Sequence, residues 1–204
     1  YEAYFRVLAR VRPESLLLPF DRIVEVIDAT DVGDIAGALA GHTSEPFDLL
    51  SWINPLEGVH GTLGQVTEHI AESMARDIRD AELGLDSPVK AALWSVSASR
   101  KPSQILGAEG RMTWESRANT FATMMSLGQM AGSGPPLFRT RQLLALVDAG
   151  LVQFLGRSPR LRAEAGQWVA GSASVDGEVR SRLLVDAFMH SPDIRRPSDP
   201  VFTS

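Results

Sequence analysis

Residues 62–88 read TLGQVTEHIAESMARDIRDAELGLDSP. Leu63, Val66, Ile70, Met74, Ile78 and Ala81 recur at intervals of three and four, the period that lines side chains along one helical face, and Gly84 supplies the stop. Just beyond it, Asp86 or Ser87 stands where a cap is needed and Pro88 stands first in the next run, where a missing N–H breaks no bond. Val89, Ala92, Leu93 and Val96 then lie along one side of that second helix. Two amphipathic helices in succession call for helix-on-helix packing.

The pattern continues toward the C-terminus. Thr113 opens a third run in which Phe121, Met124, Met125 and Met130 form an apolar stripe. Residues 132–150, GSGPPLFRTRQLLALVDAG, form a fourth, with Leu143, Leu144, Leu146 and Val147 toward a core and Gly150 at the end. After Gly150 the period changes. LVQFLG, RLRAEA, QWVAGSA and EVRSRLLVDA are short, alternating or β-branched, and broken by Gly, Pro or the tight-turn pair Asp176-Gly177. Toward the N-terminus, YEAYFRVLARV places Tyr1, Tyr4, Phe5 and Leu8 on one helical face, and Pro13 ends it. RIVEVI (22–27) fits a short strand and a helical turn equally. DVGDIAGALAG is a small-residue helix stopped at Gly41, and FDLLSWINPLEGVHG reads as a loop or broken helix. The expectation is a predominantly α-helical α+β protein. A mixed helix/loop lead-in (1–60) precedes a helical layer of about four helices (61–150) and a small β-rich segment (151–204).

Of the 204 residues, 44% are hydrophobic and 22% charged, the balance of a folded globular chain. A net charge of −5 leaves no overall basic field for nucleic acid, and the late arginines (Arg157, Arg160, Arg162, Arg180, Arg182, Arg195, Arg196) read as a solvated face. The absence of cysteine rules out disulfides, thiolate metal sites and cysteine nucleophiles, and fits a reducing cytoplasm. No apolar run approaches a membrane span. The beginning at Tyr1 and the ending at Pro200-Val201-Phe202-Thr203-Ser204 look like cuts within something longer.

Little catalytic chemistry stands out. His42, His60, His69 and His190 form no zinc-ligand spacing, so no metal is expected. Asp77 and Asp80, beside Arg76 and Arg79, fit a solvated face with local ion pairs. The Gly132-Ser133-Gly134 loop invites comparison with a dinucleotide fingerprint. It follows helical sequence, lacks the third glycine, and has Asp148 too close to serve as the acid. Arg139 and Arg141 nevertheless fall in the first turns of their helix, where the dipole disfavours cations by about 0.3–1 kcal/mol each. An acidic neighbour or a bound anion would compensate. Trp52, Trp94, Trp114 and Trp168 are expected in the core, though Trp94 and Trp114 could flank a ligand, which spacing does not show.

Four phrases, DAELGLDSPVKAAL (80–93), GRMTWESRANTF (110–121), GPPLFRTRQLLALVDAGLVQFLG (134–156) and RSRLLVDAFMHSPDIRRPSDP (180–200), together resemble the middle and C-terminal part of the bacterial FAD/NAD(P)-binding proteins related to flavin-dependent hydroxylases. The resemblance covers roughly residues 75–204. It implies a flavoprotein oxidoreductase that uses a nicotinamide coenzyme, a monooxygenase being one form the resemblance allows. In that family the FAD fingerprint lies N-terminal to the matching part. A strand like RLLVDA is followed there by an A-T-G triplet, whereas Ala187-Phe188-Met189 stands here. The resemblance therefore implies that this chain is an excised region of a larger flavoprotein. It would cover flavin or substrate without being catalytic alone, and would bind neither FAD nor NAD(P) tightly by itself. Its partners would be the remainder of that protein and a small-molecule substrate. Lys90, Arg117, Arg139 and Arg141, cations within the family-like phrases, are the expected contacts for an anionic substrate or a coenzyme phosphate. A non-catalytic helical interaction module, with an acidic, Met-rich partner surface, is the competing reading.

Overall fold

The computed structural model describes residues 1–187, and the fold is α+β and predominantly helical, as the periodicity predicts. Helix α1 (Glu2–Val11) buries Tyr4, Phe5 and Leu8. These pack with Ile23 of α2 (Phe20–Ala29), with Ile35 and Leu39 of α3 (Ile35–Leu39), and with Phe47, which precedes the short α4 (Leu49–Ile53). The Tyr4 and Phe47 rings stack 4.8 Å apart, and Phe5 meets Tyr4 edge-on at 5.1 Å. RIVEVI is helical: Ile23, Val26 and Ile27, spaced three and four apart, all reach this core, whereas a strand would have sent Ile23 and Val26 to opposite faces.

The lead-in is stapled by polar contacts. Arg12 donates from Nε and Nη2 to the two Glu45 carboxylate oxygens at 2.6 and 2.7 Å, and the Ser15 hydroxyl donates to Oε1 at 2.7 Å. The Arg12 guanidinium, joined by Ser15, holds the Glu45 carboxyl below the usual carboxylate range although burial opposes it. Burial, with the Glu45 charge nearby, pushes the Tyr4 phenol up to about 12.

Helix α5 (Leu63–Glu82) begins with a capping box, in which Thr62 Oγ1 accepts from the Gln65 amide and Gln65 Oε1 accepts from the Thr62 amide. It ends before Gly84, whose φ of +58° is cheap only for glycine. Helix α6 (Pro88–Ala98) packs against α1 on one side and α9 (Ala122–Gly132) on another, and α7 (Arg100–Leu106) follows it almost without break. Thr113 caps α8 (Trp114–Ser116), which continues through a π-helical turn (Arg117–Phe121) into α9. Helix α10 (Leu137–Asp148) packs on α5.

Two expected stripes are only half-buried. Phe121, Met124 and Met125 are partly covered and Met130 is exposed; on α10 Leu143, Leu144 and Val147 are partly covered and Leu146 is exposed. Glycines of α9 instead let α6 and the start of α7 come close. A Cβ at Gly128 would lie 2.3 Å from Arg100 Cγ and 3.3 Å from the Val96 carbonyl, and one at Gly132 would lie 2.3 Å from Ser97 Oγ.

After α10, residues 152–155 form no strand. Strands β1 (Arg160–Glu164), β2 (Gln167–Gly171) and β3 (Val179–Ser181) form an antiparallel sheet in that order. The two-residue turn is Ala165-Gly166, both at positive φ as a type I′ hairpin requires. Asp176-Gly177 lies in the longer connection to β3. Residues 183–187 carry no strand, and Phe188-Met189 and His190 lie outside the described residues. The sheet is joined to the helical layer by backbone bonds from Gly61 to Ser174 and from Asp176 to Gly61. Among the described residues no helix is long and apolar enough to cross a membrane.

Two measurements check this packing. Gly128→Val should lower stability by about 1–3 kcal/mol through overpacking, whereas Gly37→Ala on α3, with nothing within 4 Å of its added Cβ, should leave thermal denaturation unchanged or slightly improved. The depressed Glu45 carboxyl adds stability above the usual value of 4.5, and this is lost as pH falls through its lower folded value. Glu45→Gln should therefore flatten that part of the denaturation profile in acid. At neutral pH it should cost on the order of 1 kcal/mol, because the pair is partly solvated.

Candidate functional site

An open groove of about 810 Å³ lies where α1, the turn at residues 84–86, the first turns of α6 and the end of α9 meet. Its floor is set by the junction of α5 and α6. Ser87, fully buried, accepts from the Lys90 amide as N-cap and donates to Asp80 Oδ1 at 3.1 Å. Pro88 occupies the first helical position, as the sequence predicts. Arg10 of α1 reaches across to Asp86 and to the Leu85 carbonyl, each at 2.8 Å, and so holds the turn in place. Arg6 and Lys90 line the groove with Trp94 on its rim, 73% exposed.

The four cations singled out from the sequence do not converge: only Lys90 lines the groove. Its ammonium lies 2.5 Å from Asp77, across the α5–α6 junction. Arg141 pairs with Glu82 at the end of α5, also at 2.5 Å, so an acidic neighbour offsets its unfavourable place at the helix start. Arg139 is bonded to the neutral Gln142 at 2.9 Å and lies over the ring of its neighbour Phe138. Arg117, in the π-helical turn, donates to the Gly107 carbonyl at 3.1 Å. Lys90 and Arg141 are thus paired with carboxylates, whereas Arg117 and Arg139 bond neutral groups.

The other candidates have ordinary partners. His69 bonds the Pro55 carbonyl, and exposed His60 lies 3.4 Å from Asp176. No group of three potential metal ligands occurs among the described residues. Trp114 is 73% exposed, so neither it nor Trp94 is a core residue. A groove lined by indole and charged side chains was not legible in the sequence, because Arg6 and Trp94 meet only through the packing of α1 on α6.

Among the described residues no dinucleotide cradle is formed. Gly132-Ser133-Gly134 leaves the end of α9 and leads into α10, with Pro136 as its N-cap, and the strands are antiparallel and C-terminal to it. The parallel strand and glycine turn that aim a helix N-terminus at a pyrophosphate are not formed here.

No protein-family model matches the chain. It is 29% identical over 145 residues to the nitrosuccinic acid synthase npaA of Aspergillus oryzae, an alignment covering 70% of this chain and 22% of that protein. It is 29% identical over 186 residues to an L-aspartate N-monooxygenase (nitrosuccinate-forming) of Streptomyces cremeus, covering 85% of this chain and 27% of that enzyme. A second L-aspartate N-monooxygenase (nitrosuccinate-forming), from Streptomyces davaonensis, is 22% identical over 178 residues, covering 86% and 26%. The chain spans about a quarter of the length of the curated relatives it matches. Its similarity is thus to one region of monooxygenase-type oxidoreductases.

Proposed function

We propose that this chain is a region of a larger monooxygenase that oxidises the amine nitrogen of L-aspartate or a closely related amino dicarboxylate. The observation that carries the reading is that relatives matching 70–86% of this chain are named for forming nitrosuccinate, two of them as L-aspartate N-monooxygenases. The alternative of a non-catalytic interaction module has no counterpart among them. The segments 1–60, 61–150 and 151–204 act as one region, and the remainder of the polypeptide holds the FAD and NAD(P) expected of the flavin-dependent type. Flavin would supply activated oxygen and the nicotinamide its reducing equivalents.

The contribution of the described residues is then binding and water exclusion. A substrate with two carboxylates needs fixed cations, and guanidinium forks suit carboxylates best. Arg139 and Arg117 have charge to offer. Arg141 and Lys90 would have to exchange Glu82 and Asp77 for substrate or coenzyme phosphate.

The intact polypeptide should purify with flavin absorption and should couple L-aspartate addition to NAD(P)H oxidation and nitrosuccinate formation. A colourless protein that takes up no FAD, or one indifferent to amino dicarboxylates, would overturn the assignment. Arg139→Ala and Arg117→Ala should each raise KM for aspartate or coenzyme about tenfold or more, the scale of one charge-assisted bond. Arg141→Ala and Lys90→Met should have smaller effects. Unchanged affinities in all four variants would remove these residues from the site.

A further inference from the structure

The two faces of the sheet differ in kind. The register puts Leu161, Ala170 and Val179 in one cross-strand row and Ala163, Trp168 and Ser181 in the next, all on one face. The other face carries Arg162, Val169 and Arg180 in one row. There Val169 is fully buried between two arginines, whose charges are met by Glu164 and Glu178. That charged face is satisfied in water. The apolar face is only partly covered: Trp168 and Ala170 are half-buried, Leu161 is half exposed and Val179 more than a third, and Leu183, Leu184 and Val185 carry the exposed apolar surface on from β3.

An apolar sheet face of this kind in a soluble protein marks a contact surface.

We infer that the Leu161–Trp168–Val179 face of the sheet is an internal interface, covered by an apolar, uncharged surface from another part of the same polypeptide. This rests on the reading above that the chain is one region of a longer enzyme. Three observations select that occupant. The relatives carry about three quarters of their length outside the matched region. The apolar surface runs on toward the following chain through residues 183–185. The face itself carries no charged side chain among Leu161, Ala163, Trp168, Ala170, Val179 and Ser181, so it asks for no charged partner.

The test uses the intact polypeptide. This chain has no cysteine, so Leu161→Cys and Val179→Cys can be compared with Arg160→Cys, an exposed position on the opposite face of β1, by maleimide labelling read at peptide level. Labelling at the two apolar positions should be at least tenfold slower than at Arg160→Cys and independent of protein concentration. Hydroxyl-radical footprinting of the unsubstituted polypeptide should likewise spare Leu161 and Leu183, which this chain by itself leaves exposed. Labelling at the control rate would overturn the inference, as would protection lost on dilution, which would make a second copy the occupant. A protein that protects this face but does not oxidise aspartate would sink the proposed function and leave the interface standing.

Discussion

The slenderness of α6 is the constraint on which the rest of the structure depends. Its sequence, PVKAALWSVSA, is built largely from alanine, serine and valine, and α1, α5 and α9 pack on it. Buried Ala92 lets α1 come close, Ser97 faces Gly132 of α9, and Ser87 ties its first turn to Asp80 of α5. Small side chains at a helix crossing gain dispersion contacts between backbones in place of large side-chain burial. The α6–α9 contact therefore tolerates little added volume, while the methionines of α9 remain partly outside it.

The charges of the molecule mostly answer one another. Arg10 fixes the 84–86 turn, Arg12 fixes the 45 loop, and Arg162 and Arg180 close over Val169. Such pairs are individually weak where solvated. Their value here is positional, because each joins segments far apart in sequence. Arg117 and Arg139 are bound to a carbonyl and an amide instead of a carboxylate, which sets them apart among the four cations of interest.

Much of the helical layer was legible in the sequence. The Ser87-Pro88 start, the Gly84 and Gly150 stops and the Thr113 cap lie where local chemistry puts them, because caps and positive-φ stops depend on a few adjacent residues. The Thr62–Gln65 capping box had a readable T-x-x-Q signature that periodicity alone did not bring out. The Ala165-Gly166 turn was hidden because alanine at positive φ is unfavourable, and hairpin pairing on both sides is what holds it there. The candidate site was legible only as residue types. Lys90 reaches the groove and the other three cations do not, a matter of which helix faces which.

By itself, then, the sequence determined a helical chain with a small β appendage, no thiol chemistry and no dinucleotide fingerprint, since composition and short-range spacing govern those. Only the tertiary structure decided that RIVEVI is a helix, because the core formed by Tyr4, Phe5 and Phe47 rewards Ile23, Val26 and Ile27 on one face. Only the tertiary structure decided which apolar stripes are covered, because burial depends on partners that arrive from elsewhere in the chain. Leu161 and Val179 show the consequence: alternation made them a sheet face, and the described chain leaves that face in contact with water.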